Sequence, residues 1–520
     1  MGKISKQLQV LSQLAAEHQP ALASETSSLS YQEMEERVSE LANCLVSLNA
    51  QVVALHIENS VDWVVIDLAC QEAQIICVPL PAFFSSEQIM HCLKQVNVDL
   101  LISDKSTTGK LAAKAVQLPQ LSIFPPSLFV WQWQNKPPGY LHDQLPKGTQ
   151  KVTFTSGSTG TPKGVCLSID HQWQVAQSLA DAIGINKPKH LCLLPLSTLL
   201  ENIAGIYAPL LRGGTVIVAR DNDRGLSGSS GLNTSVLLSF IDRTQPDSLI
   251  LLPQLLLVLV AACQQGWKPP CSLKFVAVGG ARVAPSLIAQ ARRYQIPVFQ
   301  GYGLSECGSV VALNTLSHDK LKSVGHVLPH CRVSTKNGEI LVTGTCHLGY
   351  LGDKKSWYPS QIKTGDLGSL NEGFLSIGGR QKNTLITSYG RNISPEWVES
   401  ELMATPLLSH CMVIGDSQPF ISALISAPDA VSKGDLMQWV QQVNKKLLDY
   451  AQVKQWLRLE PQCWRPLMTA NGRLQREAVC KAFKKEIENI YDDHGLTLSS
   501  GLTSLSGNIN TSSEENYEFL

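Results

Sequence analysis

The chain has no surplus of either charge: 43 Lys plus Arg are matched by 43 Asp plus Glu. That balance gives no reason to invoke nucleic acid or an anionic membrane as a partner. Aromatic residues make up only 6% and charged residues 17%, against 44% hydrophobic. A disordered or fibrous chain is excluded by that mixture, which leaves a globular one. The fourteen cysteines stand singly, with no C-x-x-C and no Cys/His set at zinc spacing. They read as reduced, mostly buried thiols of a cytoplasmic protein. Long apolar runs are missing too. The greasiest, Leu249 to Cys263, is broken by Pro253 and Gln254 and is too short to span a bilayer. The stretch Met1 to Leu8 has no apolar signal core, and Lys6 stands where N-myristoylation requires Ser or Thr. The expectation is a cytoplasmic protein with no transmembrane segment, whose contact with a membrane is peripheral at most.

At 520 residues the chain exceeds what one core organises, and about three folding units are expected. Residues 1–105 alternate between helical and strand periodicity. Met34, Val38, Leu41, Ala42 and Leu45 share one face of a helix over 31–45, and helices are also expected over 60–71 and 85–95. Val52 to Ile57, Ile75 to Pro79 and Leu100 to Ser103 read as strands between them. Such alternation predicts an α/β fold with sheets of parallel type flanked by helices. Residues 106–146, with paired prolines at 125–126 and 137–138, read as a connecting segment, and helices are expected over 171–184 and 197–211. Short strands with hairpin turns at Asn337-Gly338 and Asn371 to Gly373 predict a β-rich subdomain over 320–378. Ser394 followed by Pro395 starts a helix that opens a small α+β unit. The polar stretch from His494 onward has the composition of a disordered tail.

One stretch organises the rest. Thr153 to Gly164 is built from hydroxyl residues, glycines and Lys163, with strand-like segments on both sides. Glycines let the backbone approach a ligand, hydroxyl and amide donors suit phosphate oxygens, and Lys163 adds a mobile cation. The plainer alternative is a Ser/Gly-rich surface turn. A Walker-type loop is excluded, because that motif needs Gly directly before its lysine and Pro162 stands there. Farther on, Phe275 to Arg282 and Val298 to Glu306 each run from a strand into a glycine-rich turn. Strands that end this way at the carboxyl edge of a parallel sheet are where such folds bind ligands. Lys363-Thr-Gly-Asp-Leu-Gly368 and Gly378-Gly-Arg-Gln-Lys-Asn383 follow in the strand-rich part, and Ser388 to Leu402 after it.

Taken in order, TFTSGSTGTPKGV and these later motifs resemble the acyl- and aryl-adenylate-forming enzymes. That superfamily holds acyl-CoA synthetases, luciferases and the adenylation domains of peptide synthetases. The likeness runs from about residue 28 to 485 and is greatest to long-chain fatty acyl-CoA synthetases. It implies a large domain over 1–379, a hinge at 380–383 around Lys382, a small mobile domain over 384–490 and a tail over 491–520. By the same resemblance Thr155, Ser156, Gly157, Ser158, Thr159, Gly160, Thr161 and Lys163 grip the phosphates of ATP. Gly280 and Ala281, with the ring of Tyr302 between Gly301 and Gly303, sandwich the adenine, and Ser305 fills a slot usually held by Thr. Glu306 is implied to hold Mg²⁺, Asp366 the ribose hydroxyls, and Arg380 the ribose or phosphate, while Gly390 borders the path of the CoA thiol. The chemistry agrees, since Mg²⁺ takes hard carboxylate oxygens and an aromatic face suits a purine. Read alone, Glu306 is a solvated charge and Asp366 a turn residue.

The chain departs from the family pattern in places. Thr198 and Asn202 replace the usual His and Arg in LPLSTLLENIAGIYAPLLRGG, the segment that resembles the lining of the acyl channel. Arg473 takes the slot of the lysine that bridges carboxylate and α-phosphate. Arginine keeps the charge but is planar and bulkier, and a misplacement of about 1 Å costs roughly a hundredfold in rate. The resemblance thus implies an ATP-dependent carboxylate–CoA ligase acting on a medium- or long-chain fatty acid through acyl-AMP, with Thr155, Lys163, Glu306 and Arg473 as its catalytic set. Two alternatives stay open. One is transfer to a carrier-protein pantetheine instead of CoA; the other is a weakened homologue that only binds nucleotide or acyl ligands.

Overall fold

A computed structural model of the chain describes residues 19–104, 115–133, 143–156, 162–227, 231–469 and 474–492. Its main division falls between Lys382 and Asn383, separating two compact units. The first contains an eight-stranded and a thirteen-stranded sheet with helices against them, and the second a three-stranded sheet with helices. The fold is therefore α/β, with sheets of mixed direction.

In the eight-stranded sheet, Lys151–Ser156, Ile76–Pro79, Val52–His56 and Leu100–Ser103 run parallel at the centre. Antiparallel strands close both edges. One edge corrects the sequence reading of 106–146 as a connecting segment. Phe129–Trp133 and Ala115–Gln117 form a hairpin there, added antiparallel to Leu100–Ser103. In the larger sheet the parallel strands Lys189–Leu191, Ser248–Leu251, Phe275–Val278 and Val298–Leu304 run on, through Ser309–Leu313, into the antiparallel β-rich region.

Local chemistry accounts for many boundaries. Ser30 caps the helix Tyr31–Ser47 in a reciprocal capping box with Glu33, and Met34, Val38, Leu41 and Leu45 are buried along its inner face. Ser168 caps Ile169–Ile183, which stops at Gly184 in a left-handed conformation. In the second unit Ser394 and Pro395 open the helix Pro395–Leu402, and the sheet of His410–Ile414, Ile421–Ser426 and Val453–Arg458 makes this unit α+β.

The helix expected over 197–211 is different in kind. Glu201–Tyr207 is a π-helix, continued by a single α-turn, Ala208–Leu211. A π-turn brings residues five apart onto one face. Here it aligns Asn202 with Tyr207, whose side chains meet at 3.2 Å. Both reach the ammonium of Lys151, which is fully buried and paired at 2.8 Å with the equally buried Asp67. The Tyr207 hydroxyl donates to Asp67 and accepts from Gln71, which in turn accepts from Trp173 Nε1 at 2.9 Å. This network ties the first residue of the strand Lys151–Ser156 to three helices. Removing one partner of a buried pair leaves an uncompensated charge and costs about 3–5 kcal/mol, whereas replacing both with apolar groups is often neutral. Lys151→Met should therefore lower the urea stability of the full chain by about that amount, and Lys151→Met with Asp67→Leu should recover most of it. A single-variant loss below about 1 kcal/mol would show that the pair does not hold this region.

Candidate active site

The strands Lys151–Ser156 and Pro162–Leu167 are antiparallel, with Thr155 opposite Lys163 and Ser156 opposite Pro162. The intervening residues 157–161 lie outside the described residues. The short strand Gly349–Tyr350 pairs with the outer side of this hairpin, Tyr350 against Val165. That register brings the Tyr350 ring beneath Lys163, whose Nζ stands 5.9 Å from the ring centroid. From its other end Tyr350 donates its hydroxyl to Glu306 Oε1 at 2.9 Å. Burial, and then the Glu306 carboxylate, push the Tyr350 phenol above its usual range, so it stays a donor at neutral pH. His347 completes the group. Its backbone N–H donates to the Glu306 carbonyl at 2.6 Å, and its ring meets Tyr350 edge-on. Burial lowers the His347 pKa, with the Glu306 charge opposing that shift. The loop lysine and Glu306, far apart in sequence, thus share one tyrosine.

A second cluster forms beside the strand Val298–Leu304. A Cβ on Gly303 would lie 1.7 Å from the Ser309 carbonyl oxygen, so only glycine lets this strand fold back onto Ser309–Leu313. Tyr302, between Gly301 and Gly303, donates its hydroxyl to Asp366 Oδ2 at 2.7 Å. Asp366 also meets Arg380 Nε at 2.7 Å, and the strands Ile362–Asn371 and Phe374–Arg380 pair these two residues directly opposite each other. Asp366 is buried, whereas half of the Arg380 side chain remains exposed. Burial first, then Asp366, raises the Tyr302 phenol. The turn with Gly280, at φ +78°, and exposed Ala281 is joined to the strand Phe374–Arg380 through Arg282, which donates to the Gly378 carbonyl at 3.0 Å.

The structure therefore brings Lys163 together with Glu306, and Tyr302 with Asp366 and Arg380. Ser305, half-buried, opens the turn Ser305–Cys307 that carries Glu306. Lys382 is exposed at the end of the first unit, and Gly390 sits at φ +71° in the turn closed by Thr387 and Arg391 of the second. Arg473 lies outside the described residues. Sequence reasoning missed Tyr350 and His347. An aromatic after a glycine in a strand-rich stretch was the one available signal, and no periodicity singles it out.

Comparison with known proteins follows the same division. A family model described as AMP-binding enzyme matches residues 12–346, and one described as AMP-binding enzyme C-terminal domain matches 382–495. The chain is 31% identical over 290 residues to a 2-succinylbenzoate–CoA ligase of Bacillus velezensis, an alignment covering 52% of this chain and 56% of that protein. It is 26% identical over 477 residues to a long-chain-fatty-acid–CoA ligase of Mycobacterium bovis, covering 77% of each. Among solved structures, an anthranilate CoA ligase in complex with anthranoyl-AMP superposes with a TM-score of 0.75 at 18% identity, covering 93% of this chain and 98% of that one. The O-succinylbenzoate coenzyme A synthetase of Bacillus subtilis in complex with AMP does so with a TM-score of 0.71 at 24% identity, covering 91% and 97%. At these identities the structures establish the fold. Because the first family model alone spans well over half of the sequence, this chain belongs to the AMP-binding enzyme family.

Proposed function

We propose that this protein is an ATP-dependent carboxylate–CoA ligase acting on a medium- or long-chain fatty acid. The observation that carries the reading is the shared contact of Lys163 and Glu306 with Tyr350 beside the loop hairpin. It gathers a cation for phosphate oxygens and a hard carboxylate for a divalent ion at one place. In the first step the substrate carboxylate attacks the α-phosphorus of ATP, the bond to the β-phosphate breaks, and pyrophosphate leaves. In the second the CoA thiol, losing its proton to solvent, attacks the acyl carbon and AMP leaves. The chain's own work is positioning and charge neutralisation. Glu306, oriented by Tyr350, is the residue proposed to hold Mg²⁺, which would neutralise phosphate charge. Asp366, held by Arg380 and Tyr302, is proposed for the ribose hydroxyls, and Gly280 and Ala281 with Tyr302 for the adenine. Lys382 as hinge, Gly390 beside the thiol path, residues 157–161 on the phosphates and Arg473 on the reacting carboxylate are assigned from the resemblance.

Two further observations bear on the acid. The long-chain ligase aligns over three quarters of both chains. In the segment 193–214, moreover, the charged groups are already engaged within the fold. Glu201 is buried against His190, and Arg212 is bound to Asn186 and Asp181. A second carboxylate on the substrate, as in 2-succinylbenzoate, needs a cation, and the nearby buried ammonium of Lys151 is taken by Asp67. The competing aromatic reading rests on the 2-succinylbenzoate–CoA ligases of Bacillus and of Staphylococcus epidermidis, the latter aligning over 73% of this chain and 78% of their own length, so the charge argument and not the alignment length favours the fatty acid.

Activity across straight-chain acids separates the two readings. Each methylene buried in a channel adds about 0.8 kcal/mol, so kcat/KM should climb roughly fourfold per methylene from short acids until the channel ends. A flat profile, or a preference for an aromatic acid, would remove the fatty-acid assignment and leave the adenylation chemistry standing. Glu306→Gln should keep the fold and lose most pyrophosphate release at limiting Mg²⁺, because an amide is a poorer ligand. Tyr350→Phe, which keeps the ring under Lys163, should lose about tenfold, the size of one hydrogen bond to a charged group. Near-normal rates in both variants would take Glu306 out of the site. Arg473→Ala should cut acyl-AMP formation at least tenfold while sparing thioester formation from pre-made acyl-AMP. Equal loss in both half-reactions would make Arg473 a structural residue.

A further inference from the structure

We propose that His190, Cys192 and Glu201 form a zinc site buried in the first unit, apart from the nucleotide residues. His190 lies on the strand Lys189–Leu191 and Cys192 directly follows it, its N–H donating to Ile217 O at 3.0 Å and continuing the ladder, so both point to one face. Glu201 opens the π-helix packed on that face. All three are buried, and their donor atoms lie within 4.8 Å of one another. Among the described residues this is the one such group of three His, Cys, Asp or Glu donors.

The spacings suit a shared cation better than a direct ion pair. His190 Nε2 and Glu201 Oε1 are 3.4 Å apart, long for an N–H···O bond, whose usual separation is about 2.9–3.0 Å. Two ligands bound about 2.0–2.1 Å from a tetrahedral zinc stand about 3.4 Å apart. The Gly205 carbonyl accepts from Cys192 Sγ at 3.7 Å, close to the roughly 3.6 Å edge between a zinc-bound thiolate and oxygen, and is the proposed fourth donor. A Cβ on Gly205 would come within 2.7 Å of Glu201 Oε1 and 2.9 Å of His190 Nε2, so glycine is what admits the backbone here. On the far side of the ring His190 Nδ1 meets Ser248 Oγ at 2.9 Å, an outer contact that leaves Nε2 facing the group.

Charge points the same way. Zn²⁺ with one thiolate, one carboxylate, a neutral imidazole and a carbonyl has no net charge, which suits a site cut off from water. Arg224, the neighbouring buried cation, is occupied by Asp221 and the carbonyls of Leu193 and Leu194. Mixed nitrogen, sulfur and oxygen donors select zinc and disfavour Mg²⁺. With four protein donors the ion would staple the strand to the π-helix and take no part in the reaction.

The test is metal analysis of the full-length protein, purified without chelator and dialysed against zinc-free buffer. About one zinc per chain is expected, and X-ray absorption should show one sulfur at about 2.3 Å with nitrogen and oxygen at about 2.0–2.2 Å. Cys192→Ser should abolish the sulfur shell and lower zinc affinity at least tenfold. Glu201→Gln should lower the affinity while keeping the sulfur. The proposal is overturned if wild-type protein supplied with equimolar Zn²⁺ retains none. It is equally overturned if bound zinc shows no sulfur neighbour, or if folded Cys192→Ser protein keeps both the metal and the sulfur shell.

Discussion

The interaction on which the first unit depends is the buried contact of Lys151 with Asp67. A charge pair this deep persists only if every remaining donor and acceptor is met, because its desolvation is not repaid by attraction alone. Asn202, Tyr207 and Gln71 meet them, and Tyr207 stacks on Trp173 at 4.8 Å. Satisfying that pair explains why the chain winds as a π-helix at 201–207, since only the wider turn sets Asn202 and Tyr207 side by side. It also fixes the start of the strand Lys151–Ser156, on one side of the loop hairpin.

From that base the site is a consequence of register. The hairpin of Lys151–Ser156 and Pro162–Leu167 positions Lys163, and the added strand Gly349–Tyr350 carries an aromatic ring to it. The hydroxyl of that ring reaches back to Glu306 on the other sheet's turn. Asp366 and Arg380 face each other because two antiparallel strands place them there, and Tyr302 joins them from a third. Groups held by packed strands need little reorganisation to meet a charged ligand, which is how positioned dipoles and charges act on phosphoryl transfer.

Much of this was legible in the sequence, for identifiable reasons. The helix expected over 31–45 announced itself by apolar spacing and runs to Ser47, and the glycine turns at Asn337-Gly338 and Asn371 to Gly373 marked real hairpins. The family of the chain followed from the order of its motifs. The strands at 115–117 and 129–133 were hidden, because an edge hairpin built around prolines and short polar stretches lacks clear alternation. The π-helix was hidden too, since its cause is a tertiary contact with Lys151. Tyr350, His347 and the grouping of His190 with Cys192 and Glu201 depend on strand register and on packing between elements, which local pattern does not encode.

The central claim is that these residues form an acyl-adenylate before any thiol is needed. Acid-dependent exchange of labelled pyrophosphate into ATP, run in the absence of CoA, tests it most directly. The account predicts exchange that requires both Mg²⁺ and a fatty acid, is strongest with medium or long chains, and yields acyl-CoA and AMP once CoA is added. Exchange that no carboxylic acid supports, or that begins only when CoA is present, would contradict it.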